Sequence, residues 1–101
     1  MRRGKTANKI TRSSSNVFAD LGFSPDEAEH LRLRAQLMGA IRDVMQRREL
    51  TQTQAAELFG CTQPRISDLV RGKIELFSID ILVSMLAQAG VHVGLTIDAA
   101  A

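Results

Sequence analysis

Apolar residues recur at three- and four-residue spacing through the centre of the chain, a pattern typical of amphipathic helices. Ser24 stands before Pro25 and three residues ahead of Glu27, which forms a capping box at the start of the first helix. The apolar stripe that follows predicts a helix reaching about Arg48. This stripe consists of Leu31, Ala35, Met38, Ile41 and Met45.

Three shorter helices follow, and a capping residue precedes each of them. Thr51, with Gln54 three residues later, begins a helix that must stop near Gly60. Thr62 caps the next helix, and Gly72 is placed to close it. Together with the first helix, these elements predict an all-α bundle of about four helices.

The last helix runs from Ser78 to Gly90 and is apolar on more than one side. Ile81 and Met85 lie away from the main stripe, which predicts a helix that is buried on two sides. The main stripe consists of Ile79, Leu82, Val83 and Leu86.

After Gly90 the apolar period becomes two, which predicts a short β-strand over residues 91–98. A lone strand has no ladder partner in its own chain, so its edge is free to pair with another. We therefore expect a twofold homodimer in which this strand, the outer face of the last helix, or both meet their copies. The predicted dimer contacts are Ile81, Met85, Val91, Val93, Leu95 and Ile97.

The chain has 101 residues, which suits a single domain with a modest core. No apolar run approaches the roughly 18 to 20 residues that cross a bilayer, and the N-terminus lacks the apolar region of a signal peptide. We therefore expect a cytoplasmic protein with no membrane partner. Cys61 is the only cysteine, which excludes an internal disulfide and a cysteine-based zinc site, and no cofactor is expected.

Charge is distributed in blocks. Residues 1–15 carry five basic residues, no acid and little apolar surface, which predicts a disordered basic N-terminal tail. Residues 16–24 are interpreted as a linker, and residues 16–31 hold four acids and no base. From Arg32 to Lys73 there are eight basic residues against four acids, and the remaining C-terminal residues have three acids and no base. A polyanion-binding surface therefore belongs to the predicted domain of residues 25–90.

Residues 52–72 have the spacing of two short helices that cross steeply through a tight turn. Ala56 is small where the helices approach, and Gly60 is able to take a positive φ angle in the turn. Ile66 and Leu69 fall on the inner face of the second helix. Further apolar contacts are expected from Leu50, Leu58, Phe59 and Val70. The residues left pointing mainly outward are Gln63, Pro64, Arg65, Asp68 and Arg71.

This spacing resembles the helix-turn-helix of the phage-repressor-like, or Xre, family over roughly residues 38–89. The resemblance implies binding to double-stranded operator DNA, with Gln63, Pro64 and Arg65 at base edges in the major groove and Asp68 one turn deeper. Glutamine pairs with adenine, arginine with guanine, and a carboxylate accepts from cytosine. Pro64 departs from the usual polar residue and is limited to contact with a thymine methyl.

The same resemblance implies contacts with the DNA backbone. Gln52 opens the first helix of the pair, where the family holds a phosphate. Thr62, Arg71 and Lys73 are the further candidates for backbone contacts, which position a protein without specifying sequence. The alternative interpretation is a basic helix face that is merely solvated.

Beyond this motif the chain resembles HigA-type antitoxins. The resemblance rests on residues 16–22, on the Leu50-Thr51-Gln52, Gln63-Pro64-Arg65 and Phe77-Ser78 elements, and on the C-terminal strand. It implies that the protein binds and neutralises a cognate RelE/HigB-type mRNA-cleaving toxin and represses the shared operon.

The candidate toxin contacts are Val17, Phe18 and Leu21, because their segment carries the acidic block and RNA-cleaving toxins are typically basic. These residues fit equally well as a hydrophobic staple that fastens the linker to the long helix.

Two other functions remain open at this point. One is an Xre-family transcriptional repressor with no toxin partner, and the other is a protein-interaction module that lacks DNA affinity. An enzyme is not expected, because His30 lies beside glutamates on a helix surface and Ser13 to Ser15 have no base near them. His92 and Asp98 are too far apart to pair within one chain.

Overall fold

The computed structural model describes residues 16–99, and the regular structure within this range is helical. A 3-10 turn, Ile74–Leu76, stands between the last two helices. The predicted tail, residues 1–15, lies outside the described residues. In chain order the helices are α1 (Val17–Asp20), α2 (Pro25–Arg47), α3 (Gln52–Phe59), α4 (Gln63–Val70) and α5 (Ile79–Gln88).

The four predicted helix starts are confirmed, because each capping hydroxyl accepts a hydrogen bond from the backbone N–H three residues later. At Thr51 the box is reciprocal, since Gln54 Oε1 also accepts from the Thr51 N–H at 2.9 Å. These bonds satisfy N–H groups that have no partner within a helix. The capping residues are Ser24, Thr51, Thr62 and Ser78.

Gly60 ends α3 because it takes the left-handed conformation, with φ 70°. A Cβ at this position would lie 3.2 Å from Cγ of Gln88. The backbone angle therefore selects glycine, whereas the exposed Gln88 side chain could shift to admit a Cβ. This turn fixes the direction in which α4 begins.

The described chain divides into two compact units, with the boundary between Leu33 and Arg34. In the first unit, Asn16 caps α1 and donates from Nδ2 to the Ala28 carbonyl at 3.1 Å. Phe18 packs edge-on against Phe23, with ring centroids 6.3 Å apart. The segment interpreted as a linker thus contains a short helix tied to the start of α2.

In the second unit, the buried core is formed by one side of each of α2, α3, α4 and α5 together with Phe77. On α5 the buried positions follow three- and four-residue spacing. The largest fully buried side chains are Met38, Ile41, Phe59, Ile66, Leu69, Phe77, Leu82 and Leu86.

Two predictions about the orientation of α5 are wrong. Met85, expected on an outward face for dimer contact, is only 4% exposed and lies in the core. Val83, expected on the buried stripe, is exposed. The buried stripe of α5 is centred on Leu82, Met85 and Leu86 because these positions recur with the helical period. Val70 on α4, expected to add an apolar contact, is also exposed.

The predicted C-terminal strand is not supported, since residues 16–99 contain no β-strand. The Val91 N–H still donates to the Leu86 carbonyl at 2.9 Å, which closes the end of α5. Residues 92–99 follow without regular structure. A strand requires a neighbour that supplies N–H and C=O groups, and no other described segment of the chain lies beside this one as a ladder partner.

Candidate nucleic-acid interface

Helices α3 and α4 pack against each other across the Gly60 turn. Ile66 and Leu69 are fully buried on the inner side of α4, whereas Gln63 and Pro64 in its first turn are exposed. The helix therefore presents its N-terminal end to solvent while its opposite side is part of the core.

The outer face of α4 consists of the positions farthest from Ile66 and Leu69 at 3.6 residues per turn. Ser67 belongs to this face, although sequence reasoning did not select it. The helical period alone would have identified it, because it lies three residues after Pro64. The outer face is Pro64, Ser67, Asp68 and Arg71.

Gln63 and Arg65 both lie beside this outer face, but Gln63 is exposed whereas Arg65 is half-buried. Its Nη1 donates to the Leu76 carbonyl at 2.9 Å, and its guanidinium carbon lies 5.4 Å from the centroid of the Phe77 ring. The side chain predicted to read guanine is thus turned toward the segment that precedes α5.

Asp68 also has a partner within the chain. One of its carboxylate oxygens lies 3.6 Å from Lys73 Nζ, and both side chains are partly exposed. A carboxylate paired in this way is a weaker acceptor for cytosine than the isolated residue assumed from the sequence. Lys73 in turn shares its charge between Asp68 and any phosphate nearby.

The other residues predicted to contact the DNA backbone lie near the two helix N-termini and the end of α4. Gln52 is the first residue of α3 and is half-buried. Thr62 Oγ1 accepts from the Arg65 N–H, which leaves its hydroxyl proton free to be donated. Arg71 is exposed at the end of α4.

Three arginines use their guanidinium groups to bind backbone carbonyls. Besides Arg65, Arg34 Nη1 lies 3.5 Å from the carbonyls of both Ile74 and Phe77. Arg42 Nη1 donates to the Leu69 carbonyl at 3.3 Å. A carbonyl is neutral, so these arginines keep their positive charge, but part of their hydrogen-bonding capacity is used within the chain.

Two ion pairs with carboxylates offset part of the positive charge. Arg47 Nε lies 3.0 Å from Asp43, and Arg32 binds Glu29, which lowers the pKa of that carboxyl below its usual value. Among the residues that the structure describes, Arg48 and Arg71 are the basic side chains without an ion pair or a carbonyl acceptor.

A cleft of about 360 Å³ lies beside the start of α4, and its walls include Cys61, Arg65 and Asp80. Burial raises the pKa of the Cys61 thiol, with Arg65 acting in the opposite direction. The thiol is therefore kept in its neutral form. No group of residues suited to holding a metal ion occurs between residues 16 and 99.

The candidate toxin contacts divide between the two interpretations. Phe18 is half-buried and packs against Phe23 within the same segment, ahead of α2. Val17 and Leu21 are 58% and 69% exposed.

Some of the predicted dimer contacts are exposed and others are buried. Ile81, Val93, Leu95 and Ile97 are exposed, whereas Val91 is half-buried against the core and Met85 lies within it. No described helix is long and apolar enough to cross a membrane.

Two short helices joined by a glycine turn, with the first turn of the second helix exposed, define a helix-turn-helix protein, the class whose second helix enters the major groove of DNA. A family model described as a helix-turn-helix domain matches residues 17–98. The chain belongs to this family of helix-turn-helix domains. A comparison with curated proteins found no match.

Proposed function

We propose that this chain is a sequence-specific DNA-binding repressor that places α4 in the major groove of its operator. The observation that carries the proposal is the division of α4 between a buried side, Ile66 and Leu69, and a solvent-exposed first turn, Gln63 and Pro64. Reading of DNA by the N-terminal residues of the second helix requires this arrangement.

The chemistry of the exposed residues suits base recognition. Gln63 has the donor and acceptor that pair with adenine, a contact worth about 1 to 3 kcal/mol of discrimination. Pro64 offers an apolar surface to a thymine methyl group, and Ser67 offers a hydroxyl group one turn further along. Arg71 and the Thr62 hydroxyl supply backbone contacts at the two ends of the helix.

We propose further that the protein acts as a dimer, because a single helix contacts too few base pairs for selective binding. Exposed Ile81, Val93, Leu95 and Ile97 give the chain an apolar surface that a second copy would cover. Residues 91–98 would then find in the second copy the ladder partner that the single chain lacks. Half-sites about one helical turn apart, roughly 34 Å, are expected.

Gel shifts with DNA from the protein's own promoter test the proposal. The wild-type chain should bind this DNA more tightly than random sequence, and Gln63→Ala should lose about tenfold in affinity for the promoter. Gln36→Ala is the matched control, because Gln36 is an exposed glutamine on α2. Equal affinity of the wild-type chain for promoter and random DNA would refute sequence-specific binding, and no affinity for either would favour a protein-interaction module.

A second candidate function, that of an antitoxin, is favoured by the exposed apolar residues of α1. Val17 and Leu21 lie beside Asp20, so α1 offers an apolar and acidic surface that suits a basic RelE/HigB-type toxin. The test is co-expression with a small basic protein encoded in the adjacent reading frame. Val17→Asp with Leu21→Asp should abolish co-purification and protection from growth arrest while promoter binding persists. Unchanged co-purification, or the absence of such a neighbour, would contradict the antitoxin function.

A further inference from the structure

We infer that Arg65 is a positioning residue that anchors the first turn of α4 to the segment before α5, and that it is not a reader of bases. The inference rests on the proposed DNA-binding function. It assigns to Arg65 the task of holding Gln63 and Pro64 in the orientation that the major groove requires.

The side chain makes two contacts of different kinds in the same direction. Nη1 donates to the Leu76 carbonyl at 2.9 Å, and the guanidinium carbon lies 5.4 Å from the Phe77 ring centroid. Phe77 is 1% exposed and belongs to the core, so the ring is a fixed platform. The hydrogen bond lies at the surface, and together with the cation–π contact it favours one orientation of the planar guanidinium.

The acceptor of this hydrogen bond needs a partner from outside its own helix. Leu76 ends the 3-10 turn Ile74–Leu76, and carbonyl groups at helix ends lack partners within the helix. Arg34 lies near the carbonyls of Ile74 and Phe77, at 3.5 Å each. Arginines from α2 and α4 therefore hold this turn from two sides.

Base reading would require Arg65 to give up these contacts. Hydrogen bonds to guanine would replace a hydrogen bond already made, and the guanidinium would leave the Phe77 ring. The Leu76 carbonyl would lose its charged donor. Glutamine at position 63 has no such competing contact, since it is exposed in the first turn. Within this turn, Gln63 thus contacts the bases and Arg65 holds the turn in position.

The test compares Arg65→Ala with Gln63→Ala on an operator series in which each base pair is changed in turn. Arg65→Ala should weaken binding to every member by a similar factor, about tenfold, and leave their ranking unchanged. Gln63→Ala should flatten the preference at one base pair per half-site. A loss confined to one base pair in Arg65→Ala would make Arg65 a base reader and overturn the inference.

A double-mutant cycle with Phe77→Leu supplies a second measurement, because the buried ring is removed without changing a residue of the outer face. The losses of DNA affinity in Arg65→Ala and Phe77→Leu should be less than additive, since either substitution releases the same anchor. Additive losses would overturn the inference. If Arg65→Ala loses thermal stability, it could still bind DNA as tightly as the wild type at a temperature where both are folded. That result would make Arg65 a purely structural residue and would also overturn the inference.

Amide hydrogen exchange of residues 74–77 is measured on the same variants without DNA. Exchange should be faster in Arg65→Ala and close to wild type in Gln63→Ala. Hydrogen exchange does not depend on DNA binding. If the wild-type chain binds no DNA, the proposed function is refuted, but the exchange rates still show whether Arg65 holds residues 74–77 in place. Unchanged exchange in Arg65→Ala would overturn the inference whether or not the protein binds DNA.

Discussion

At the scale of single residues, Gly60 has the strictest local requirement in the helix-turn-helix. Its φ of 70° disfavours any side chain, and an added Cβ would also require the exposed Gln88 side chain, 3.2 Å away at Cγ, to shift. Gly60→Ala should lower the free energy of unfolding by about 1 kcal/mol or more, measured by urea denaturation. Gly72→Ala is the matched control, since its φ is 76° and a Cβ there meets nothing within 4 Å, so its loss of stability reports the backbone angle alone.

Cys61 gives a prediction about pH. Its pKa is raised by burial, so the thiolate that reacts with iodoacetamide is scarcer in the folded chain than in the unfolded one. Alkylation at pH 8 should be slower in buffer than in denaturing urea. The pKa of Cys61 is higher in the folded chain than in the unfolded chain. The contribution of the neutral thiol to the free energy of unfolding is therefore present below the unfolded-state pKa and is lost as pH rises through the folded-state pKa. Equal alkylation rates in buffer and in urea would contradict the burial of the Cys61 thiol.

Arg65 shows where sequence reasoning ends at this scale. Its basic side chain next to Gln63 and Pro64 matched the chemistry of base reading. Its actual acceptor is a backbone carbonyl 11 residues away, and a carbonyl leaves no trace in the pattern of side chains. Ser67, in contrast, was identifiable from helical period alone.

At the scale of elements, the helices were predictable because their starts depend on local hydrogen bonds. The capping side chains of α2, α3, α4 and α5 each bind an N–H three residues away, so the signal lies within four consecutive residues. The orientation of α5 depends on distant packing partners, and there Met85 and Val83 were assigned to the wrong sides. The predicted strand required a partner outside the chain.

The long helix α2 contains a glycine that the fold does not require. A Cβ at Gly39 would meet nothing within 4 Å, and its φ is in the ordinary helical range. Gly39→Ala should therefore raise the free energy of unfolding by about 0.5 to 1 kcal/mol, because alanine loses less backbone entropy in a helix. Thermal denaturation followed by circular dichroism measures the change. A lower melting temperature would show that the helix depends on glycine at this position.

At the scale of the whole molecule, fewer arginines have all their N–H donors available to a phosphate than the sequence suggests. Arg34, Arg42 and Arg65 bind carbonyls of the chain, so their number says little about phosphate contacts. Arg71, by contrast, is exposed at the end of α4.

Salt dependence distinguishes these two kinds of arginine. Arg71→Ala should weaken binding to promoter and random DNA alike and reduce the slope of log affinity against log salt by about 0.9 per chain, because one phosphate contact is lost. Arg42→Ala is the matched control and should leave the slope unchanged, since its guanidinium donates to the Leu69 carbonyl. Equal changes in slope for the two variants would contradict this assignment.

The division of α4 into a buried and an exposed side also bears on how such a protein changes over generations. Ile66 and Leu69 contribute to folding, whereas Gln63 and Pro64 are exposed and fill no part of the core. Under the proposed function, substitutions at the exposed pair should alter the preferred DNA sequence with little effect on the free energy of unfolding. A duplicated copy of the gene would then acquire a new operator through a few codon changes, while the scaffold that presents the helix is retained.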